Sequence, residues 1–549
     1  MLTTAKGPCD EASIEAGGRE SVASESPATG RWVLAATILG SSIAFIDGTV
    51  VNVALPTIQE ELGATQAGIQ WVVQAYALFL AALILVGGSL GDHLGRRRVY
   101  AVGVAVFAIA SIGCGIAPSV EALIAARALQ GVGGALLVPG SLAIISATFS
   151  DRERRGRAIG TWSAFTAITS AIGPVLGGWL VDNASWRWIF FINVPLAAVV
   201  LAISLTRVPE SRDPKASRGL HGLDFLSAGL VTLGLGSLTY GLTDAPVRGW
   251  GDPLVLAMLG IGVASLAAFV VAQARGAAPM MPLGLFRSRT FAGANLLTLL
   301  LYGALGGALF FVPFNLIQVQ GYGSTEAGAA LLPMVVLLFG LSRWAGGLVS
   351  RYGAKLPLVV GPTIAAVGLA LFALPGIGGS YWTTLFPAVV VLGIGMSITV
   401  APLTTAVMGA LDNRYAGTAS GINNAVSRVA GLLAIALFNV VLAAVFGSEL
   451  ASGLAATAAP PDVQAVVAAQ QDRLAAAEPP PGMDETMADE IDNAVDQAFL
   501  GGYRRVMLLA AALALASAFI AGVVIEGTVV KGDRREKRGD RRPSPEGSA

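Results

Sequence analysis

The chain has 549 residues, 54% of them hydrophobic and only 13% charged, where a soluble domain carries about 25%. Mean hydropathy is +0.69 and formal net charge is zero, so nucleic acid has no evident basic surface to meet. Two cysteines and two histidines exclude a disulfide framework and a metal-ligand cluster. No G-x-x-x-x-G-K-S/T run offers a nucleotide-driven motor, and no cofactor is expected.

Residues 1–31 form a polar tail without a short apolar stretch ending at a small-residue cleavage site, so the first apolar segment is expected to be retained. From there, apolar segments of about 18–25 residues recur, each long enough to cross about 30 Å of hydrocarbon. They lie near 32–55, 69–91, 99–117, 121–146, 157–181, 187–206, 223–243, 254–274, 291–318, 326–349, 357–376, 383–409, 417–446 and 503–526. The pattern predicts an all-α polytopic membrane protein of about fourteen spans. Sixty-eight glycines suit close helix packing in lipid, where small residues let backbones approach.

Charge assigns the sides. Arg96–Arg98, Arg152, Arg154, Arg155, Arg157, Arg207, Arg212, Lys215, Arg218, Arg275, Arg287, Arg289, Arg351, Lys355 and the tail from Lys531 fall on alternate connections that share one side. The other side holds little more than Arg187, Arg248, Arg473, Arg504 and Arg505. By the positive-inside rule both termini are expected in the cytoplasm of a bacterial cell, with the chain crossing its membrane many times. The long stretch 447–502, rich in Ala, Pro and acids, is then an outer loop, either holding short helices or largely mobile.

Asp47, in FIDGTVVNVALP, lies about 22 Å along the first span from Trp32. It is the only acid well inside a span, and an intramembrane carboxylate is a functional candidate by default. Arg127, six residues into the fourth span, sits at a similar depth on a helix of the same bundle. The two are expected to act together in proton coupling, the alternatives being a static ion pair or an arginine snorkelling to the interface. Gly91, Asp92, Gly95 and Arg96 lie in the tight turn LGDHLGRRR between the second and third spans. Gln74, Gln130, Trp162, Phe165, Asn295, Tyr302, Asn315 and Asn423 are the aromatic and amide candidates for lining a substrate cavity, each equally explicable by helix packing.

The turn has an echo. GSLGDHLGRR aligns with GGLVSRYGAK, placing Gly88 over Gly346, Gly95 over Gly353 and Arg97 over Lys355, with Ser350 where the first copy has Asp92. GVGGALLVPG (131–140) likewise resembles GIGMSITVAP (393–402). A doubled unit marks a transporter built from two bundles around a midplane site. The expected division is 1–31 tail, 32–207 first six-helix bundle, 208–275 two inserted helices with linkers, 276–526 second bundle with its outer loop, and 527–549 basic tail.

These motifs resemble those of the major facilitator superfamily. LGDHLGRRR is similar to its loop motif, LIAARALQGVGG (123–134) to its fourth-helix arginine motif and AIGPVLGG (171–178) to its fifth-helix antiporter motif. FIDGTVVNVALP, SWRWIFFINVP (185–195) and NNAVSRVAG (423–431) resemble sequences of the fourteen-helix drug:proton antiporter branch. The resemblance implies the major facilitator fold with two inserted helices, and Arg127 in proton coupling. It gives Asp92 and Arg96 a role in a charge latch at the inner face. Gly173, Pro174, Gly177 and Gly178 would let the fifth helix bend and pack closely. It makes Arg428 a family position of structural character, while Arg343 is a cation able to snorkel; either one facing the cavity would extend the substrate range beyond cations.

The expected function is a proton-coupled secondary exporter of amphipathic, cationic or neutral small molecules, acting in the lipid bilayer and possible as a monomer. The alternative is the same machine dedicated to one endogenous metabolite. A membrane-embedded enzyme or receptor would need clustered His, Cys or acids at the membrane face, or a sizeable soluble domain, and the sequence offers neither.

Overall fold

The structure is a computed structural model that describes residues 27–526 except 150, 213–223, 277–278, 280 and 413–415. The expected polar tail and basic tail lie largely outside the described residues, as do the side chains of Arg343 and Ser350.

The chain folds as α-helices: α1 Pro27–Glu61, α2 Gln66–Leu94, α3 Arg96–Gly115, α4 Val120–Thr148, α5 Arg152–Asn183, α6 Asn193–Arg207, α7 Phe225–Arg248 and α8 Pro253–Arg275. These are followed by α9 Arg289–Phe314, α10 Leu332–Tyr352, α11 Lys355–Leu371, α12 Phe386–Gly409, α13 Ala416–Ala456 and α14 Glu485–Val524. With their adjoining turns, thirteen are long and apolar enough to cross a membrane. The remaining one, α11, has 17 residues. Helices begin where a short polar side chain can satisfy a first-turn amide: Thr65, Ser119, Asp151, Asp224, Asp252 and Ser288 each accept such a bond.

Helices α1–α6 pack on one another, as do α9–α14, and α7 with α8 forms a hairpin whose α7 lies against α2 and α13. The sequence echo has a structural counterpart. Gly95 ends α2 at φ +115° and Gly353 ends α10 at φ +74°, a region that favours glycine. The paired glycines also behave alike. A Cβ at Gly131 would come within 2.5 Å of a carbonyl on α2, and one at Gly133 within 2.6 Å of α3. Their counterparts Gly393 and Gly395 meet α10 and α11 at 2.9 and 2.4 Å. Backbone contact of this kind is what small residues provide where hydrocarbon gives helices no solvophobic drive to associate.

The two sets of helices are clamped at the end opposite the arginine-rich turns. There the segment Ser324–Ala330, just before α10, lies along the last turns of α5. Asp182 accepts from the amides of Ser324 and Thr325 at 3.0 and 2.8 Å and from the Thr325 hydroxyl at 2.6 Å. A Cβ at Gly178 would fall 2.3 Å from the Ser324 carbonyl oxygen, and one at Gly328 2.3 Å from that of Pro174. Toward the arginine-rich end, a Cβ at Gly156 or Gly160 of α5, or at Gly340 or Gly346 of α10, meets nothing within 4 Å.

The stretch 447–502 is built rather than loose. α13 runs on to Ala456, α14 starts at Glu485, and between them lie the helix Pro461–Ala468 and a 3-10 turn Gln471–Ala476. Val467, Leu474, Ile491, Val495 and Phe499 are buried in the main apolar core. This segment touches both sets of helices: Gln59 of α1 donates to the Arg473 carbonyl at 3.1 Å and accepts from Gln318, in the π-turn after α9, at 3.3 Å.

Overpacking a backbone contact costs about 1–3 kcal/mol. A Gly328→Val variant is therefore expected to open the clamp, so that a disulfide formed between Asp182→Cys and Thr325→Cys in the parent forms roughly tenfold less. Equal cross-linking yield in both backgrounds would show that the clamp does not depend on this glycine.

Candidate functional site: a buried charge network and a cavity between the bundles

Asp47 and Arg127 meet inside the α1–α6 set. Arg127 donates to Asp47 Oδ2 at 2.5 Å, and the two side chains are 1% and 0% exposed. Four helices complete the site. Gln130, one turn along α4 from Arg127, accepts from Arg127 at 2.6 Å and donates to Asp47 Oδ1 at 2.8 Å. Asn193 of α6 donates to the same oxygen at 3.1 Å, and Ser111 of α3 accepts from Gln130 and Asn193 at 2.8 and 3.3 Å. The Arg127 Nε donates to the Val72 carbonyl of α2 at 3.0 Å, and its guanidinium lies 4.4 Å from the Tyr76 ring and 5.8 Å from that of Phe190. Two charges away from water need this degree of pairing and hydrogen bonding to be tolerated.

Tyr76 forms the wall between this network and open space. Its hydroxyl donates to the Ala44 carbonyl at 3.3 Å, and its ring lines a cavity of about 190 Å³ with Ala44, Phe45, Gly48, Thr49 and Ser170. Arg428, from α13 of the other set, closes that cavity. It also lines a second one, of about 250 Å³, shared by Gln74 of α2 and Tyr302 of α9.

The sequence candidates for a cavity therefore separate. Gln74 and Tyr302 line the 250 Å³ cavity, and Asn295 lines an apolar one of about 410 Å³ between α2, α7, α9 and α13. Asn423 instead ties α13 to α9, donating to Asn295 and Thr298 at 3.2 and 2.7 Å. Gln130 belongs to the charge network, being fully buried there. Trp162 packs against Ile145 and Ala158 and donates to Ser41 at 3.0 Å. Asn315 is buried in the π-turn, and Phe165 is half exposed on α5. Ser111, Asn193 and Tyr76 escaped the sequence reading, although Asn193 stands within the quoted SWRWIFFINVP. Their common signal is a hydrogen-bonding group at the depth of Asp47.

At the arginine-rich end, Asp92 pairs with Arg96 at 2.8 Å, one turn apart across Gly95. Glu210, after α6, accepts from the amides of Arg97 and Arg98 at 3.0 and 3.3 Å and makes looser ion pairs with both side chains. These bonds stay within the α1–α6 set and its following segment. Gly173 and Gly177 bring α5 onto α1, while Pro174 and Gly178 face the segment before α10.

The family model "Major Facilitator Superfamily" matches residues 37–435. The chain belongs to the major facilitator superfamily. It is 35% identical over 475 residues to the multidrug resistance protein Stp of Mycobacterium tuberculosis, covering 85% of this chain and 83% of that one. It is 32% identical over 496 residues to the tetracenomycin C resistance and export protein of Streptomyces glaucescens, covering 89% and 90%. A bacterial homolog of the human lysosomal transporter Spinster shares the fold at TM-score 0.61 and 18% identity, over 92% of this chain and 98% of that one. The protein is thus a multi-pass membrane transporter and not an enzyme.

The charge network makes an asymmetric prediction. A carboxyl can take up a proton when its partner is lost, whereas a guanidinium cannot lose one. Asp47→Leu, which strands Arg127, is expected to cost about 3–5 kcal/mol. Arg127→Leu should cost less, because Gln130 and Asn193 still donate to Asp47. Thermal unfolding midpoints of both variants in detergent check this; equal losses would contradict it.

Proposed function

We propose that this transporter is a proton-coupled drug exporter: it expels amphipathic small molecules from the cytoplasm in exchange for protons. The observation that carries the reading is the fully buried Asp47–Arg127 pair, whose guanidinium lies against the ring of Tyr76, a residue that also lines a cavity with Arg428. Relatives named for multidrug resistance and for resistance and export support it. The excess of arginine and lysine at one end supports placing that end in the cytoplasm. The clamp at the other end, with α5 and α10 open toward the arginines, then corresponds to a cavity facing the cytoplasm.

In this scheme a proton reaches Asp47 past Tyr76 and Gly48 and removes the charge that holds Arg127. Arg127 is then drawn to Gln130, the Val72 carbonyl and the Tyr76 ring alone, so α1 and α4 are no longer locked together. The clamp at Asp182 closes one end in this state, and the Asp92–Arg96 pair, which here joins α2 to α3, is proposed to exchange onto the second bundle to close the other end in the opposite state. Transport is driven by the gradient because each charge crossing 100 mV is worth about 2.3 kcal/mol. A machine dedicated to one endogenous compound is the second reading, favoured by the relative named for resistance to and export of one compound, tetracenomycin C.

In cells or vesicles, efflux is expected to collapse with an uncoupler and in Asp47→Asn at normal expression. Efflux by Asp47→Asn at the wild-type rate under a proton gradient would remove Asp47 from coupling. Asp92→Asn should slow the cycle at least several-fold while insertion is unchanged, and wild-type transport in that variant would remove the latch from the scheme.

A further inference from the structure

Arg428 lies about 18 Å along α13 from its arginine-rich end, near the middle of the membrane. Its side chain lines both cavities between the two sets of helices, one against α2 and α9 and the other against α1, α2, α4 and α5. Its Nε donates to Asn424 Oδ1 at 3.0 Å, yet no carboxylate pairs with it among the described residues. Among the described residues the acid at this depth, Asp47, is already held by Arg127. Gln74 is among the residues that line the same 250 Å³ cavity. It is fully buried; its carbonyl accepts from Thr243 at 3.5 Å, and its amino group has no acceptor. A buried donor without a partner is destabilising, and so is a cation at this depth without a counter-charge. One oxygen-rich group in that cavity would give Arg428 a counter-charge and offer Gln74 an acceptor. Tyr302, Leu305, Leu309 and Ile435 supply apolar and aromatic walls there.

We infer that Arg428 and Gln74 are the polar anchor of the substrate site, and that the site takes amphipathic molecules carrying an anionic oxygen group, a carboxylate or an acidic phenol or enol. This rests on the proposed exporter reading and names its substrate class, an acid in place of the cation or neutral compound expected from the sequence. A guanidinium suits that role because it stays charged and can hold two oxygens at once. Because the anchor lies on α13 and α2, one ligand bridges the two bundles through charge and hydrogen bonding. Loss of that bridge is felt at Tyr76, which lines the cavity beside Arg428 and stacks on Arg127.

The test uses two dyes with the same three-ring scaffold and opposite charge, fluorescein and rhodamine 6G. Binding is measured by fluorescence polarisation at pH 7.5 on the full chain in phosphatidylcholine nanodiscs, without a proton gradient. Wild type is expected to prefer fluorescein at least tenfold. Arg428→Met should erase or reverse that preference, Arg428→Lys should retain part of it, and Gln74→Leu should weaken fluorescein at least threefold. A wild-type preference for rhodamine 6G, binding of neither dye, or a preference unchanged in Arg428→Met would overturn the proposal. If Arg428→Met does not fold, fluorescein affinity within twofold of wild type in both Arg428→Lys and Gln74→Leu overturns it. Replacing a fifth of the lipid with phosphatidylglycerol should leave fluorescein binding within threefold. Strong competition would assign Arg428 to a lipid headgroup and overturn the proposal as well. Because binding is read without a gradient, failure of proton-driven transport in the same protein would count against the exporter reading and leave the anion site standing.

Discussion

A carboxylate and a guanidinium 2.5 Å apart, both shut away from solvent, sit among α1, α3, α4 and α6. Hydrocarbon offers such charges no hydration, so their surroundings must supply every compensating bond. The sequence meets this with short polar side chains on helices that are otherwise apolar: Ser111, Gln130 and Asn193 fill the remaining positions around Asp47. Each of these residues is useful only if its helix has the correct rotation and depth. The network therefore acts as a register pin for most of the first bundle, and the glycine contacts of α4 with α2 and α3 bring the backbones close enough for it to close.

The second bundle repeats the packing without the charges. Gly393 and Gly395 press α12 onto α10 and α11 as Gly131 and Gly133 press α4 onto α2 and α3. Yet the second copy of the turn has Ser350 in place of Asp92. What the second bundle contributes instead is a cation, Arg428, which lines one cavity formed largely by the first bundle and another formed mostly by α9 and α13. The division of labour follows from which copy kept its acids. The buried ion pair is in one bundle, and the cation that lines these cavities comes from the other.

At the end opposite the arginines the two bundles are joined by contacts that are tight but few. Backbone-to-backbone approach at Gly178 and Gly328 gives shape without side-chain interdigitation, and Asp182 supplies hydrogen bonds that water can replace when the ends part. The segment between α13 and α14 adds a third connection at that end, through Gln59 and the Arg473 carbonyl. Leu474 within it holds a positive φ of 54° with its side chain buried, a strained conformation for a branched residue that only surrounding packing can maintain.

Read by itself, the sequence determined the helical membrane class, the approximate limits of the spans, the repeat, and the pairing of Asp47 with Arg127. Those properties depend on hydropathy over twenty residues and on the rarity of charge in lipid, both local quantities. Tertiary structure alone decided which polar residues share a site. Gln74 and Gln130 are both amides on spans of one bundle, but rotation about the helix axis turns Gln74 to a cavity and Gln130 to Asp47. Trp162 and Phe165, three positions apart on α5, are buried and exposed respectively for the same reason. Arg428 read as structural from its motif, whereas the packing of α13 against α2 and α9 places it between the bundles. Depth in a membrane is written along the chain; azimuth is set by the neighbouring helices.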